Sequence, residues 1–276
     1  MTEDLREQYA ADDNLQARIA LHAAFSINPH WAEWLFDREA PGPGARILDL
    51  GCGPATLWRA NRERIDLSWS LTMADFSPGM IEAARRELGE RAVYVVADAQ
   101  QLAFPADSFD AVLANHMLYH IRNRLRAYAD IRRVLVSGGT FHASTIGRGH
   151  LAELDALFPG WDLGRHAEAF GLETGPEQLQ PFFADIRVER FEDGLAVTNA
   201  EPVLAYIRSS ERYHGEDLTG ARKTVQKAIA RHGAFTIAKR QGVISCRKPY
   251  LWRHCRTLAQ ARVVGSYKIE SSRRKD

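Results

Sequence analysis

Cysteine is scarce in this 276-residue chain, and the spacing of Cys52, Cys246 and Cys255 fits neither a disulfide framework nor a metal-ligand set. Free thiols imply a reducing compartment, so a cytoplasmic location is expected. An excess of either charge is also missing: lysine plus arginine number 36 and aspartate plus glutamate 35, a formal net of +1. The basic field that draws a protein onto nucleic acid is therefore absent, and no nucleic-acid partner is expected. No run approaches the roughly 18 uninterrupted apolar residues that cross a bilayer, so no membrane association is expected either. Residues 1–9 are polar and acidic and lack the apolar stretch of a signal peptide. Neither an internal repeat nor a low-complexity segment is visible.

What the chain does have is an ordinary apolar fraction of 45%, enough to bury one large α/β domain with a modest lid. Leu15, Ile19, Ala23 and Ile27 recur at the spacing of one helix face, and Trp31, Trp34 and Leu35 predict a second short helix. Pro41-Gly42-Pro43-Gly44 ends both. Short apolar runs then alternate with helical stretches. Strands are predicted over 45–50, 70–74, 93–97, 109–114 and 140–146. Helices are predicted through Trp58, from Ser77 to Gly89 with Ser77 as N-cap and Pro78 in the first turn, and along Leu125, Ala129, Arg132 and Leu135 to Gly138-Gly139. Strand and helix alternating at this spacing give right-handed crossovers and a doubly wound, mostly parallel α/β sheet. Beyond His150 the pattern loosens. Strand-like runs at 186–191, 235–237 and 242–246, with helices near 202–209 and 221–230, suggest an antiparallel edge carrying a helical insertion.

The segment Asp49-Leu50-Gly51-Cys52-Gly53-Pro54 puts two glycines directly after the first strand. They let the chain turn sharply and leave no Cβ where a ligand would approach the backbone. In a doubly wound sheet this spot is the crevice at the carboxyl ends of the strands. Asp75, Asp98 and Asn115 fall at the tips of the next three strands and face the same crevice. A nicotinamide dehydrogenase is one reading, since an acid follows the glycines by some twenty residues. That fingerprint wants glycine or alanine three residues after the second glycine, and Thr56 stands there.

These motifs resemble the class I S-adenosylmethionine-dependent methyltransferases, in particular the branch with the ubiquinone-biosynthesis and small-molecule natural-product enzymes. Residues 47–54 are similar to the family's first motif. Asp75-Phe76-Ser77-Pro78-Gly79-Met80 is similar to its second, where the acid holds the cofactor ribose. Asp98-Ala99-Gln100-Gln101-Leu102-Ala103-Phe104-Pro105 is similar to its third, where the acid approaches the adenine amine. The runs Asp107-Ser108-Phe109-Asp110 and Arg132-Arg133-Val134-Leu135 also fit, so the resemblance covers about residues 45–146. It implies a Rossmann-like fold, S-adenosyl-L-methionine as cofactor, S-adenosylhomocysteine as second product, and no metal. The implied cofactor-binding set is Asp49, Gly51, Cys52, Gly53, Asp75, Phe76, Met80, Asp98, Ala99 and Asn115, with Tyr9 reaching in from the N-terminal segment. The family often has a third glycine where this chain has Ala55, so slightly tighter quarters around the methionine part are expected.

Methyl transfer from a sulfonium needs acceptor, methyl and sulfur in line, and a base only if the acceptor must lose a proton. His116 and His120 follow the fourth strand and are the candidates for a general base or acceptor-orienting group. The resemblance also implies an N-terminal segment folding over the cofactor, from which Arg18 and His22, four apart on one helix face, could reach inward, while Trp31, Trp34 and Phe36 either help form an acceptor pocket or anchor the helix to the core. Trp161, Phe170, Phe182, Phe183, Tyr206 and Tyr213 give residues 150–231 aromatic material for a lid. The resulting plan is a helical cap over 1–40, a cofactor-binding core over 41–150, edge strands with a helical lid over 151–250, and a tail over 251–276. The expected partner is a small-molecule methyl acceptor, with the protein a monomer or homodimer. A cofactor-binding protein without transferase activity is the alternative. A nucleic-acid methyltransferase is disfavoured by the near-neutral charge and by the lack of a Pro-Pro-aromatic signature after strand four.

Overall fold

The computed structural model describes residues 12–158, 165–210 and 213–250. Tyr9, Trp161, the side chain of Arg18 and the tail over 251–276 lie outside the described residues. Two helices, α1 (Asp12–Phe25) and α2 (Trp31–Glu39), precede β1 (Arg46–Leu50) and α3 (Thr56–Ala60). Next come β2 (Ser70–Asp75), α4 (Pro78–Leu88), β3 (Ala92–Val96), β4 (Phe109–Leu113), α5 (Arg124–Val134) and β5 (Leu135–Ile146). After three short helices, α6 (Ala152–Leu157), α7 (Arg165–Ala169) and α8 (Gly175–Leu179), two long strands complete the sheet. These are β6 (Ala184–Val197) and β7 (Phe235–Arg247), with α9 (Ala200–Arg208) and α10 (Thr219–His232) between them.

The seven strands run in the order β3-β2-β1-β4-β5-β7-β6. Pairing is parallel from β3 to β5 and antiparallel at β5–β7 and β7–β6. The order reverses at β1, so the carboxyl ends of β1 and β4 flank the crevice where such sheets bind ligands. β1 is buried on both faces: Ile47 packs with Trp58, Met73 and Leu113 toward α3 and α4, while Leu48 and Leu50 pack with Tyr128, Ile131 and Phe141 toward α5. A strand covered twice must be apolar on both sides, which is why Asp49 stands out in it.

The late strands are longer than their sequence suggests. Phe235–Arg247 is one continuous strand rather than two pieces, because β6 pairs with it along its whole length while β5 joins only from Gln241 onward, so Lys239 and Arg240 sit where it has a single neighbouring strand. β6 extends to Val197, well past the apolar run over 186–191. α5 stops at Val134 instead of reaching Gly138, and β5 starts at the next residue. The β6–β7 pair runs on beyond Ile146, the end of β5, and carries α9 and α10 past the carboxyl edge of the sheet. There Leu21 of α1 joins Leu195, Val203, Leu204, Ile207 and Val225 in a separate apolar cluster. The rings expected to give the lid an aromatic surface are mostly core: Phe170 stands 6.2 Å from Tyr128 and Phe183 stands 5.2 Å from Phe141.

A buried ion pair pins the link between α1 and α2 to these strands. Asp193 accepts hydrogen bonds from Ser26 Oγ at 2.7 Å and Asn28 N at 2.9 Å, and pairs with the Lys239 ammonium. Removing one partner of such a pair strands the other charge in a dry site. Asp193→Ala is expected to lower the unfolding free energy by about 3–5 kcal/mol in urea titration. Adding Lys239→Met should return part of that loss.

Candidate active site

One cavity of about 430 Å3 opens at the carboxyl edge of the sheet, walled by the tips of β1 to β4 and roofed by α1 and α2. All the described residues proposed from sequence for the cofactor, from Asp49 to Asn115, line it, as do His116 and His120. Ile19, Trp31, Gln100, Met117 and Arg122 also line it and were not singled out for the site, apart from Trp31.

The turn after β1 is built by hydrogen bonds to the neighbouring strand. Gly51 N and Cys52 N both donate to Ala74 O, at 2.7 and 3.1 Å. Gly53 N donates to Asp75 Oδ2 at 3.0 Å, and Ser77 N donates to Asp75 Oδ1 at 2.8 Å. Gly51 and Gly53 sit at φ +73° and +52°. A side chain at Gly51 would strike Met117, whereas at Gly53 it would project into open space. Ala55 continues the left-handed backbone at φ 56°, as N-cap of α3, and its methyl is fully buried. The sequence expectation of tighter quarters for a ligand is therefore corrected: Ala55 does not line the cavity, and what replaces the family's third glycine is backbone strain of roughly 1–2 kcal/mol.

Asp49 is 3% exposed and accepts from Trp58 Nε1 at 2.7 Å through Oδ2, while Oδ1 has no partner. Burial raises its pKa to about 7, against the pull of the Trp58 bond and helped by the nearby Asp75 charge. Burial likewise raises Asp75, opposed by its backbone donors. At the next tip, Asp98 Oδ1 accepts from Gln100 N at 2.9 Å. At the tip of β4, Asn115 Nδ2 donates to Glu39 Oε2 at 3.0 Å, and Asn115 Oδ1 is buried without a partner.

His116 adopts φ +52°, uncommon for a residue with a side chain, and its N–H donates to Ser144 O at 3.0 Å. The left-handed kink aims its ring at the cavity, 5.6 Å from the Trp31 ring. Enclosure and, secondarily, the Lys239 charge push its pKa down to about 4, so the imidazole is neutral at physiological pH. His120 lies farther toward the rim, against Tyr119 and His166 at 4.6 and 5.3 Å. His22 does not line the cavity; it meets Tyr206 edge-on at 6.0 Å. Of the three N-terminal aromatics, Trp31 reaches the cavity, Trp34 packs on Phe191 under Arg38, and Phe36 is core beside Trp58.

Glu39 escaped the sequence reading. Its signal was periodicity: Glu39 follows Leu35 by four residues and Phe36 by three, which places it on the same buried helix face.

The residues fit a ligand with a cationic amino-acid end and a nucleoside. Asp49 Oδ1 is an orphaned buried acceptor, Gly53 faces open space, and Asp75 keeps acceptor capacity beyond what its three backbone N–H donors, Gly53, Phe76 and Ser77, use. A family model described as a methyltransferase domain matches residues 48–143. A malonyl-[acyl-carrier protein] O-methyltransferase of Serratia marcescens is 27% identical over 74% of this chain and 77% of its own length. A ubiquinone/menaquinone biosynthesis C-methyltransferase, UbiE, of Shewanella pealeana is 28% identical over 42% of this chain, and the match spans about half, 48%, of that enzyme. In fold, the chain is similar to phosphoethanolamine N-methyltransferase 2 of Haemonchus contortus, solved with S-adenosyl-L-methionine. The TM-score is 0.54 at 20% identity, covering 88% of this chain and 60% of that one.

The raised carboxyls make the ligand-free site sensitive to pH. Asp49 holds its proton to about pH 7 when folded but loses it near pH 4 when unfolded. The folded state thus binds more protons in between, and stability falls as pH rises through that window. Asp49→Asn removes the titration and keeps an acceptor for Trp58. Urea unfolding of the ligand-free variant at pH 5.5 and 7.5 should show a smaller loss of stability than wild type, by on the order of a kcal/mol.

Proposed function

The chain carries a class I S-adenosylmethionine-dependent methyltransferase domain, and on that premise we propose that it methylates an oxygen or carbon atom of a small, oxygen-bearing acceptor. The observation that carries this reading is the single cavity joining the strand-tip polar groups to His116 and Trp31. The two relatives, one an O- and the other a C-methyltransferase, support an oxygen or carbon target.

In this reading the Asp75 carboxylate accepts from the ribose hydroxyls with the lone pairs its N–H donors leave free. Phe76 and Met80 pack along the nucleoside, and Asp98 with Ala99 meets the adenine edge. The backbone of Gly51, Cys52 and Gly53 lies against the amino-acid end, and Asn115 borders the reacting centre. Bound S-adenosylmethionine supplies a methyl group on a sulfonium and departs as S-adenosylhomocysteine. The protein's contribution is positioning, which can supply on the order of 7–11 kcal/mol when the reacting atoms are held in line. Trp31 gives the acceptor a flat wall. His116, kept neutral by its enclosure, accepts a hydrogen bond from the acceptor O–H and fixes its direction. A ring this reluctant to be protonated orients the acceptor, whose proton leaves to water as the bond to the methyl group forms. His120, at the rim, contacts the acceptor's outer part.

Two substitutions separate these roles. Asp75→Ala is expected to weaken S-adenosylhomocysteine binding by about tenfold to a hundredfold, the worth of charge-assisted hydrogen bonds. His116→Ala should leave that binding unchanged and cut kcat by about a hundredfold. Because His116 is neutral throughout, the wild-type rate should show no inflection near pH 6.5. Mass spectrometric turnover against phenols, carboxylic acids, quinols and amines tests the acceptor class. Methylation of amines alone, indifferent to His116→Ala, would contradict it.

A further inference from the structure

Gln100 has no role in the scheme above, although it lines the cavity together with Asp98. Its carboxamide is held from two sides. Nε2 donates to both oxygens of the Asp98 carboxylate, at 3.0 Å to Oδ1 and 3.2 Å to Oδ2, and Oε1 accepts from Asn123 N at 3.1 Å. A backbone N–H can only donate and an ionised carboxylate can only accept, so one orientation of the amide satisfies both neighbours. Turned over, it would set its NH2 against the Asn123 N–H and its oxygen against the carboxylate.

The fold holds these two neighbours unequally. Asp98 lies in a turn two residues past the end of β3, where Gln101 N donates back to Asp98 O at 2.9 Å. Asn123 caps α5, its side chain accepting from Arg126 N at 3.1 Å, and α5 is anchored in the core through the fully buried Tyr128 and Ile131. Gln100 therefore ties a carboxylate on a loop to the start of a well-packed helix. It also limits what that carboxylate can accept. Oδ1 receives Gln100 N at 2.9 Å as well as Nε2, which occupies both of its lone pairs. Oδ2 receives Nε2 alone, so one acceptor direction is left.

We propose that Gln100 is a positioning residue for the purine, turning Asp98 so that the free lone pair of Oδ2 meets one N–H of the adenine 6-amino group. The proposal rests on the cofactor reading above, in which Asp98 meets the adenine edge, and adds the side chain that sets its direction. An acceptor aimed at position 6 of the purine favours an amine there over a hydrogen, because with hydrogen the carboxylate loses water and gains no partner.

Calorimetric titration of the full chain compares S-adenosylhomocysteine with its 6-deamino analogue, in which purine replaces adenine. Wild type is expected to bind the first about tenfold more tightly, the worth of a hydrogen bond to a charged group. Gln100→Leu, of similar size, removes the side-chain bonds on both sides of residue 100. It should weaken S-adenosylhomocysteine about fivefold to tenfold and leave the analogue's affinity unchanged, so that the preference for the amine nearly vanishes. In an Asp98→Ala background the same substitution should add no further loss, since its effect passes through that carboxylate. An equal loss for both ligands, or failure of the variant to bind either, would make Gln100 a prop for the loop and overturn the proposal. So would a Gln100→Leu protein that keeps the wild-type preference. Wild type that binds the two ligands alike would overturn the contact between Asp98 and the amine, and the proposal with it. Wild type that binds neither would instead overturn the cofactor assignment.

Discussion

Everything around the cavity depends on how the chain leaves β1. Gly51, Cys52 and Gly53 turn back on the tip of β2, giving two N–H bonds to Ala74 O and one to the Asp75 carboxylate. This arrangement fixes one acid by its backbone donors while leaving it lone pairs. It also starts α3, whose Trp58 returns a hydrogen bond to Asp49. Two carboxylates from adjacent strands are thereby oriented before any ligand arrives. The cost is borne as left-handed backbone at Gly51, Gly53 and Ala55, of which only the last has a Cβ to strain.

The second constraint comes from the chain's far end. β6 and β7 run beyond β5 and hold the N-terminal helices down through Asp193, Lys239 and a shared apolar cluster with α9. α2 carries Trp31 and Glu39 to the two ends of the β4 tip, one to His116 and the other to Asn115. The roof over the cavity is thus part of the antiparallel edge's packing, and one helix meets both His116 and Asn115 at the tip of β4.

Much of this was legible in the sequence. The alternation of apolar runs and helices gave the parallel half of the sheet. Glycines at 51 and 53 and polar residues at 75, 98 and 115 marked one crevice, because strand tips and turns have strong local rules. The long edge strands were harder to read, since β7 places Lys239, Arg240 and Gln241 inside a strand, and the partners of Lys239 come from Ser26, just after α1, and from Asp193 of β6. His116 was readable as a residue facing the crevice, but neither its left-handed backbone nor its neutral state could be seen locally. The first goes with the bond from its N–H to Ser144 O of β5, and the second comes mainly from burial, with the Lys239 charge adding to it. Glu39 looked like an ordinary charged residue ending a helix, and its partner Asn115 lies 76 positions away.

The central claim is that this cavity is built for a sulfonium nucleoside and not for a dinucleotide. Calorimetric titration of the purified chain with S-adenosylmethionine and S-adenosylhomocysteine, beside NAD and NADP, tests it most directly. The account predicts saturable binding of the first two at one site per chain and none of the dinucleotides. Saturable binding of NAD or NADP with no heat from either sulfur nucleoside would contradict it, and the strand-tip acids would then belong to a dehydrogenase.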